Sequence, residues 1–428
     1  MKVVIINKSD STGGAAVVSF RLMNALRALG VETSMLVVEK KTDSPHVYVA
    51  ASSSRIKRSF LSERLKIFLA NGLRRDILFK VDLASDGLPL HRHRLVREAD
   101  VICLNWVNQG MLSLTGLDKL LSLGKPVVWT MHDMWNFTGI CHHAGTCERW
   151  HVNCGLCPLL GNGASTQDLS FAVWNDKKAI YSKSRVKLRF VAVSNWLASL
   201  ARKSALTPEV GLSVIPNAFP IPPDEKLKKD RDRDTASASA GDNFFRVIMG
   251  AARLDDPVKG LPIIVETTKI LREKYPEEAS RIELVTFGNL KDPSALDNVR
   301  IRHRHLGTVR GEEKIREIYS SGNAVVSTSL YETLPGTLVE GQVYGCIPVS
   351  FGRGGQSDIV DHLSTGYIAE WNDDPHIAAE NIARGIIWSM AQSPREIRAR
   401  MLDSARSRFS AEAVASRYIE LFHELGVE

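Results

Sequence analysis

Two glutamates, Glu332 and Glu340, stand on either side of a Pro-Gly turn that opens a helical pattern. We expect Glu332 to follow a strand at the carboxyl edge of a sheet. The backbone amides of Gly336, Thr337 and Leu338 would then face a phosphate at the helix N-terminus. Glu340, one turn into the helix, is placed to accept hydrogen bonds from a ribose diol. Because such a spacing alone also fits two solvated helix-cap glutamates, this interpretation depends on the proline and glycine between them.

A second pair of charged residues, Arg253 and Lys259, flanks the turn between a predicted strand and a predicted helix. Arginine offers a planar fork of donors and lysine a point charge, and both suit the oxygens of a diphosphate. Such cations would stabilise a diphosphate leaving group, which is usually the largest catalytic contribution of a site of this kind. The alternative is an exposed basic loop.

These two motifs together resemble those of the large retaining family numbered four among glycosyltransferases, the glycosyl transferases group 1. The resemblance implies that Glu332 contacts the hydroxyls of the donor sugar and that Glu340 holds the ribose. It also implies that Arg253 and Lys259 form the diphosphate-binding pair. The resemblance covers nearly the whole chain, most strongly 246–370 and more moderately 1–40 and 126–218.

Gly13, Gly14 and His132 extend the resemblance into the first half of the chain. Glycines before a helix let a ligand approach the backbone there, although a plain tight turn has the same pattern. In the family, this loop faces the donor phosphate and the acceptor, and the histidine approaches the donor sugar near its C6. The aspartate that follows, Asp133, strengthens a functional interpretation of His132. The predicted catalytic residues are therefore His132, Arg253, Lys259 and Glu332.

Four cysteines cluster behind the histidine motif at Cys141, Cys147, Cys154 and Cys157. Four thiolates at such spacing predict a structural zinc site, because they can surround the metal tetrahedrally. Free or redox-labile thiols and disulfides are the alternatives, and a reducing cytoplasm disfavours disulfides. Four protein ligands leave no open position, so a zinc here would not be catalytic. We expect no catalytic cofactor, because Arg253 and Lys259 supply the positive charge that a catalytic metal would provide. The block also resembles enzymes of bacterial exopolysaccharide and lipopolysaccharide pathways.

Residues 54–80 interleave basic residues with apolar ones, among them Ile56, Phe60, Leu61, Leu65, Phe68 and Leu69. This pattern is typical of a helix lying on an anionic membrane surface, here the inner membrane. An ordinary surface helix with snorkelling basic side chains is the alternative. No nucleic-acid partner is expected, because the basic residues lack a recognisable reading motif.

The elements that must position these residues alternate between short β-branched runs and helical stretches, which favours doubly wound α/β domains. The 428 residues carry a net charge of +7. We see neither a signal peptide nor an apolar run long enough to span a bilayer, and therefore expect a cytoplasmic, peripherally membrane-bound protein. The resemblance implies the GT-B fold, in which two Rossmann-like domains face a central cleft. The predicted divisions are an acceptor domain at 1–218, a linker at 219–243, a nucleotide-sugar domain at 244–410, and a helix at 411–428 that packs back toward the first domain.

The predicted function is a retaining glycosyltransferase. It would move a hexosyl-type sugar from a nucleotide-diphosphate sugar to a glycan or lipid-linked acceptor in bacterial surface polysaccharide synthesis. The alternatives are a nucleotide-sugar epimerase of the same fold and a catalytically silent scaffold subunit of a polysaccharide assembly complex. A dinucleotide-dependent oxidoreductase ranks last, because the first turn lacks a full Gly-x-Gly-x-x-Gly pattern.

Overall fold

The computed structural model describes residues 1–184, 187–208, 210–223, 225, 227 and 244–428. They form two compact units, one of residues 1–218 with 411–428 and the other of residues 219–410. The predicted linker at 219–243 lies largely outside the described residues.

The first unit is built on a seven-stranded parallel sheet with the order β3-β2-β1-β4-β5-β6-β7. Its strands are β1 (Lys2–Ile6), β2 (Glu32–Val37), β3 (Val47–Val49), β4 (Val101–Leu104), β5 (Val127–Met131), β6 (Leu188–Ala192) and β7 (Gly211–Val214). The helices between them are α1 (Gly14–Ala28), α2 (Ser53–Ala70), α3 (Arg94–Glu98), α4 (Leu114–Leu121), α5 (Leu169–Ser184) and α6 (Asn195–Lys203). The central strands β1, β4 and β5 are apolar and almost entirely buried, as strands covered on both faces must be.

The second unit repeats this plan on a six-stranded parallel sheet with the order β10-β9-β8-β11-β12-β13. Its strands are β8 (Phe245–Arg253), β9 (Ile282–Asn289), β10 (Arg302–His305), β11 (Ala324–Ser327), β12 (Ile347–Phe351) and β13 (Tyr367–Ala369). Its helices are α7 (Leu261–Lys274), α8 (Pro276–Ala279), α9 (Glu312–Ser320), α10 (Gly336–Val343), α11 (Pro375–Met390) and α12 (Pro394–Phe409). Two doubly wound Rossmann-like domains are therefore confirmed.

The last helix, α13 (Ala411–Glu424), belongs to the first unit. Its apolar face, with Tyr418 and Phe422, joins the core formed by α1 and the central strands. The Tyr418 hydroxyl lies 2.8 Å from the Thr130 hydroxyl of β5. The end of the chain thus completes the core of the unit that the beginning of the chain starts.

The order of the strands decides where each unit can bind a ligand. Strand order reverses between β1 and β4 in the first unit and between β8 and β11 in the second. Loops leaving the carboxyl ends of such strands diverge to opposite faces of the sheet and leave a crevice between them. The loops that carry the predicted site residues leave from these strands or from β5, the neighbour of β4.

Candidate functional site

In the second unit, the loops after β8 and β11 are locked together at the switch point. The amide of Leu330 donates to the carbonyl of Val258 over 2.8 Å. The Thr328 hydroxyl donates to the carbonyls of Lys259 and Gly260, at 3.0 and 2.9 Å. Gly260 has a φ of 67°, and a Cβ there would lie 2.2 Å from the carbonyl oxygen of Thr328. Only glycine permits this close approach, which holds Lys259 against the second loop.

Lys259 and Glu332 form a direct ion pair, although they are far apart in the sequence. Their side chains are 31% and 20% exposed, so each is partly shielded while remaining open to a ligand. The structure therefore pairs a residue predicted to bind the diphosphate with the glutamate predicted to hold the sugar.

Arg253 has an acidic partner that the sequence analysis does not name. It ends β8, and its Nε atom donates to Asp255 over 2.9 Å, with the side chain 44% exposed. The other carboxylate oxygen of Asp255 accepts the amide of Lys291 at 3.1 Å. Asp255 thus orients the arginine, a role that sequence reasoning missed because an acid two residues away resembles an ordinary loop residue.

The loop after β12 clamps the backbone of Glu332. The amide of Gly355 donates to the carbonyl of Glu332 over 2.8 Å. A Cβ at Gly354 would lie 2.1 Å from the same carbonyl oxygen. The Gln356 side chain is fully buried beside this contact, and its amide group has no hydrogen-bond partner among the described residues. A Gly-Gly pair after a strand is the signal that marks this loop.

The N-terminus of α10 presents its amides to the same region. The helix begins at Gly336 after Pro335, and no side chain caps it. The amide of Leu338 donates to the carbonyl of Pro335 over 3.1 Å because the first turn is tight. The amides of Gly336 and Thr337 precede this bond, and the approach of the three amides to a phosphate stays a prediction.

Glu340 lies one turn further along α10 and is half-buried. Its charge acts on the buried Tyr319, whose pKa is raised well above its ordinary value by burial and by this carboxylate. The Tyr319 hydroxyl has no hydrogen-bond partner among the described residues. Tyr319 is thus a further polar group near Glu340 that the sequence did not single out.

In the first unit, His132 follows β5 and contacts Asn105, which follows β4. The distance between His132 Nε2 and Asn105 Oδ1 is 2.9 Å. Burial lowers the pKa of His132 to about 4, so the imidazole is neutral near pH 7. Asn105 was missed by sequence reasoning, and its position directly after a switch-point strand is the signal that could have found it.

Asp133 is not the partner of His132, contrary to the support that the sequence analysis drew from it. Its carboxylate accepts from Trp106 Nε1 at 2.9 Å and from the amide of Trp135 at 2.8 Å, and it lies 2.8 Å from His142 Nδ1. Burial opposes its ionisation, but His142 and these bonds hold the pKa of Asp133 at about 2. The aspartate therefore braces the loop instead of activating the histidine.

Gly13 lies between β1 and α1, and Gly14 is the first residue of α1. Gly13 has a φ of 90°, and a Cβ at either glycine would meet nothing within 4 Å. The loop is held by Asp10, whose carboxylate accepts from the Thr42 hydroxyl at 2.6 Å and from the amide of Lys41 at 2.9 Å. The N-terminus of α1 therefore has no side-chain cap and has open space beside both glycines.

The four clustered cysteines are present as free thiols. Burial raises the pKa of Cys141 to about 12 and that of Cys154 to about 11. Within the described part of the chain, no three His, Cys, Asp or Glu side chains are grouped so as to hold a metal ion. The tetrahedral arrangement that the spacing predicts is thus not preformed, and the structural zinc stays a prediction.

Beside the cysteines, Lys177 is fully buried, and backbone carbonyls surround its ammonium group. Its ammonium donates to the carbonyls of Trp135, Thr138 and Gly139 and lies 3.3 Å from the centre of the Trp135 ring. Burial lowers the pKa of Lys177 to about 7. This lysine ties the loop after His132 to α5 and fixes its course.

Two doubly wound parallel sheets in one chain are the architecture of the GT-B class of fold. Anabaena HepE, solved in complex with UDP and glucose, matches with a TM-score of 0.60, 99% of this chain and 100% of that chain being covered at 15% identity. Residues 237–408 match the family described as Glycosyl transferases group 1. The second unit of the chain is therefore similar to this glycosyltransferase family over most of its length.

Two curated relatives match parts of the chain. The Escherichia coli K12 colanic acid biosynthesis protein WcaC is 33% identical over 95 residues, 20% of this chain and 23% of that protein. The GPI3 subunit of the phosphatidylinositol N-acetylglucosaminyltransferase of Saccharomyces cerevisiae YJM789 is 24% identical over 260 residues, 59% of this chain and 54% of that protein. The matches thus span about a quarter and about half of the lengths of these relatives.

Proposed function

We propose that this protein is a retaining glycosyltransferase that transfers a hexosyl-type sugar from a nucleotide-diphosphate sugar to a glycan or lipid-linked acceptor. The observation that carries the proposal is the ion pair between Lys259 and Glu332 at the switch point of the second sheet. A cation and a carboxylate side by side suit the two ends of one donor, a diphosphate and the hydroxyls of its sugar.

The ion pair also prepares the site for the donor. Glu332 holds Lys259 in place before the donor binds. Little reorganisation is then needed when the diphosphate replaces Glu332 as the partner of the Lys259 ammonium. Glu332 is then released to accept hydrogen bonds from sugar hydroxyls. Arg253, oriented by Asp255, adds a second cation, and the amides of Gly336 and Thr337 add uncharged donors.

In the proposed reaction the bond between the sugar C1 and the diphosphate oxygen breaks. A bond from C1 to the acceptor oxygen forms on the same face, and the acceptor proton passes to a donor phosphate oxygen. Lys259 and Arg253 stabilise the charge that grows on the diphosphate. Glu340 orients the ribose. In the first unit, neutral His132 is proposed to form a hydrogen bond with a sugar. No catalytic cofactor enters this scheme.

The nature of the donor and of the pathway is proposed from the relatives. Anabaena HepE was solved with UDP and glucose, so a UDP-hexose is the first donor to test. WcaC is named for colanic acid biosynthesis, which supports a role in bacterial surface polysaccharide synthesis.

The test is calorimetric binding of UDP-, GDP-, ADP- and dTDP-sugars to the wild type and to Arg253→Ala, with Arg384→Ala as the control. Arg384 pairs with Glu380 on α11, so its loss removes an arginine and an ion pair without touching the loops of the site. We expect one donor to bind the wild type and the control alike, and to bind Arg253→Ala at least about tenfold more weakly.

Two outcomes would overturn the proposal. Failure of every nucleotide to bind the folded protein would favour the silent scaffold. Conversion of the bound sugar without any acceptor would indicate an epimerase.

A further inference from the structure

Helix α2 packs against the rest of the first unit mainly through polar residues, whereas its leucines face the solvent. Its buried residues are Ser59, Glu63, Arg64 and Ile67. The leucines on its other side, with Leu73 just beyond its end, are largely exposed: Leu61 52%, Leu65 56%, Leu69 61% and Leu73 59%. Soluble proteins leave single leucines exposed, but a continuous exposed row marks an interaction surface. We call these four residues the leucine ridge.

Specific bonds fix this orientation of α2. The Glu63 carboxylate accepts the amides of Leu83, Ser85 and Asp86 at 2.8 to 3.1 Å. Arg64 Nη2 donates to the fully buried Asp82 over 2.7 Å. Turning the helix to bury the leucines would break these bonds and leave charged groups unpaired inside the unit. The outward position of the leucines is therefore a built feature.

Three of the four residues of the leucine ridge lie on one side of α2. Leucines at four-residue intervals advance by about 40° around an α-helix, so Leu61, Leu65 and Leu69 share one side over about 12 Å. Ile56, Phe60 and Phe68, which the sequence analysis grouped with them, are only partly exposed. The apolar surface is thus narrower than the sequence pattern indicates and consists of leucine.

The charge around the ridge has one dominant sign. The exposed basic residues between positions 53 and 80 are Arg55, Lys57, Arg58, Lys66, Arg74, Arg75 and Lys80. The exposed acid in the same stretch is Asp76, which pairs with Arg74 at 2.6 Å. Helical periodicity places Arg58 in line with the ridge and Lys57 beside it. Lys66, on the other side of the ridge, pairs with Asp86 at 2.6 Å. A partner must therefore be apolar in a narrow strip and negative next to it.

We propose that the leucine ridge docks this protein on an anionic phospholipid bilayer. The leucines would enter the boundary between headgroups and acyl chains, while the flanking lysines and arginines contact the phosphates. Among the described residues, none of the helices has the length and apolar character to span a bilayer, so docking would be peripheral. This inference does not depend on the proposed reaction.

The test is co-sedimentation of the full chain with vesicles of phosphatidylcholine, with and without phosphatidylglycerol. We expect binding to the anionic vesicles that weakens as salt is added. Each replacement of Leu61, Leu65 or Leu69 by glutamate should weaken binding at least about tenfold. Lys57→Gln and Arg58→Gln should each weaken it roughly fivefold.

Matched controls separate the ridge from general effects of added charge. Ile377→Glu changes an apolar residue of α11 that is 43% exposed, and Lys314→Gln removes an exposed charge from α9. Both should bind vesicles as the wild type does. Circular dichroism and donor binding, measured on every variant, would show that the fold and the site are intact.

Several results would overturn the inference. The first is that the wild type does not co-sediment with anionic vesicles at low salt. The second is that the leucine variants and the controls bind the vesicles equally well. The third is a concentration-dependent dimer, seen by analytical ultracentrifugation without vesicles and lost in Leu65→Glu, which would assign the ridge to a second copy of this chain. Vesicle binding without any donor binding would leave the inference standing and reject the proposed function.

Discussion

Both units carry candidate residues at the carboxyl ends of central strands, but the charge of these residues differs between the two units. In the second unit the groups are charged and partly exposed, with Lys259 paired to Glu332 and Arg253 to Asp255. In the first unit the contact is between a neutral imidazole and an amide, His132 and Asn105. Under the proposed function, the charged residues of the second unit suit a diphosphate, and the neutral pair of the first unit suits the hydroxyls of a sugar.

Removing the charge in the second unit should have the largest effect. In Lys259→Ala, the diphosphate loses a cation and Glu332 loses its partner, so kcat should fall about 100- to 1,000-fold. Lys269→Ala is the control, because Lys269 pairs with Glu266 in α7, away from the loops of the site. Steady-state kinetics with the donor found by calorimetry would measure this. Equal losses in the two variants would show that charge at the switch point has no special role.

Adding a charge in the first unit should change the pH profile. In Asn105→Asp, a carboxylate beside His132 favours the imidazolium and raises its pKa from about 4 toward neutrality. A loss of activity as the pH falls should therefore enter the range between about 5 and 8, where the wild type shows none from this residue.

Nitrogen-15 NMR of the histidines would follow the same titration without requiring turnover. Asn105→Ala is the neutral control, which should reduce activity without moving the pKa toward neutrality. A wild-type His132 that already titrates near pH 6.5 would contradict the contrast between the units.

Glycines should also distinguish the two units. Gly354→Ala places a Cβ 2.1 Å from the carbonyl oxygen of Glu332 and should lower the free energy of unfolding by about 1–3 kcal/mol. Gly14→Ala meets nothing within 4 Å and should leave stability nearly unchanged. Denaturant unfolding would measure both variants. A loss of donor binding in Gly14→Ala at full stability would support a ligand close to the first loop.

The smallest expected effect concerns the helix that closes the first unit. Tyr418→Phe removes the hydroxyl that lies 2.8 Å from that of Thr130, and should lower the free energy of unfolding by about 1 kcal/mol. A double-mutant cycle with Thr130→Val would isolate the pair. Additive effects of the two changes would show that this bond contributes nothing to holding α13.

The strongly patterned elements could be predicted closely from the sequence. The apolar run 101–104 predicts a buried strand, and the 3.6-residue period of 261–274 predicts a helix. β4 and α7 have these bounds. β10 reads Arg-His-Arg-His and was missed, since its polar side chains give no alternating apolar pattern. β3 and β13, of three residues each, are too short to show a period.

The candidate site divides in the same way. The residue types and the spacing of Arg253, Lys259, Glu332 and Glu340 were readable because each lies in a local motif. The sequence did not indicate that Lys259 pairs with Glu332. It also did not indicate that His132 contacts Asn105, while Asp133 contacts His142. These partners come from different strands, and sequence distance does not report which strands are neighbours.

The sequence by itself determined the doubly wound class, the binding motifs and the basic, leucine-containing segment, because periodicity and local motifs depend only on nearby residues. Only the tertiary structure decided which charges pair, which acid orients Arg253 and which side of α2 faces outward. The buried bonds of Glu63 and Arg64 turn the leucines of that helix to the solvent. Such choices depend on buried contacts between distant segments, and a buried charge must find its partner wherever the fold provides one.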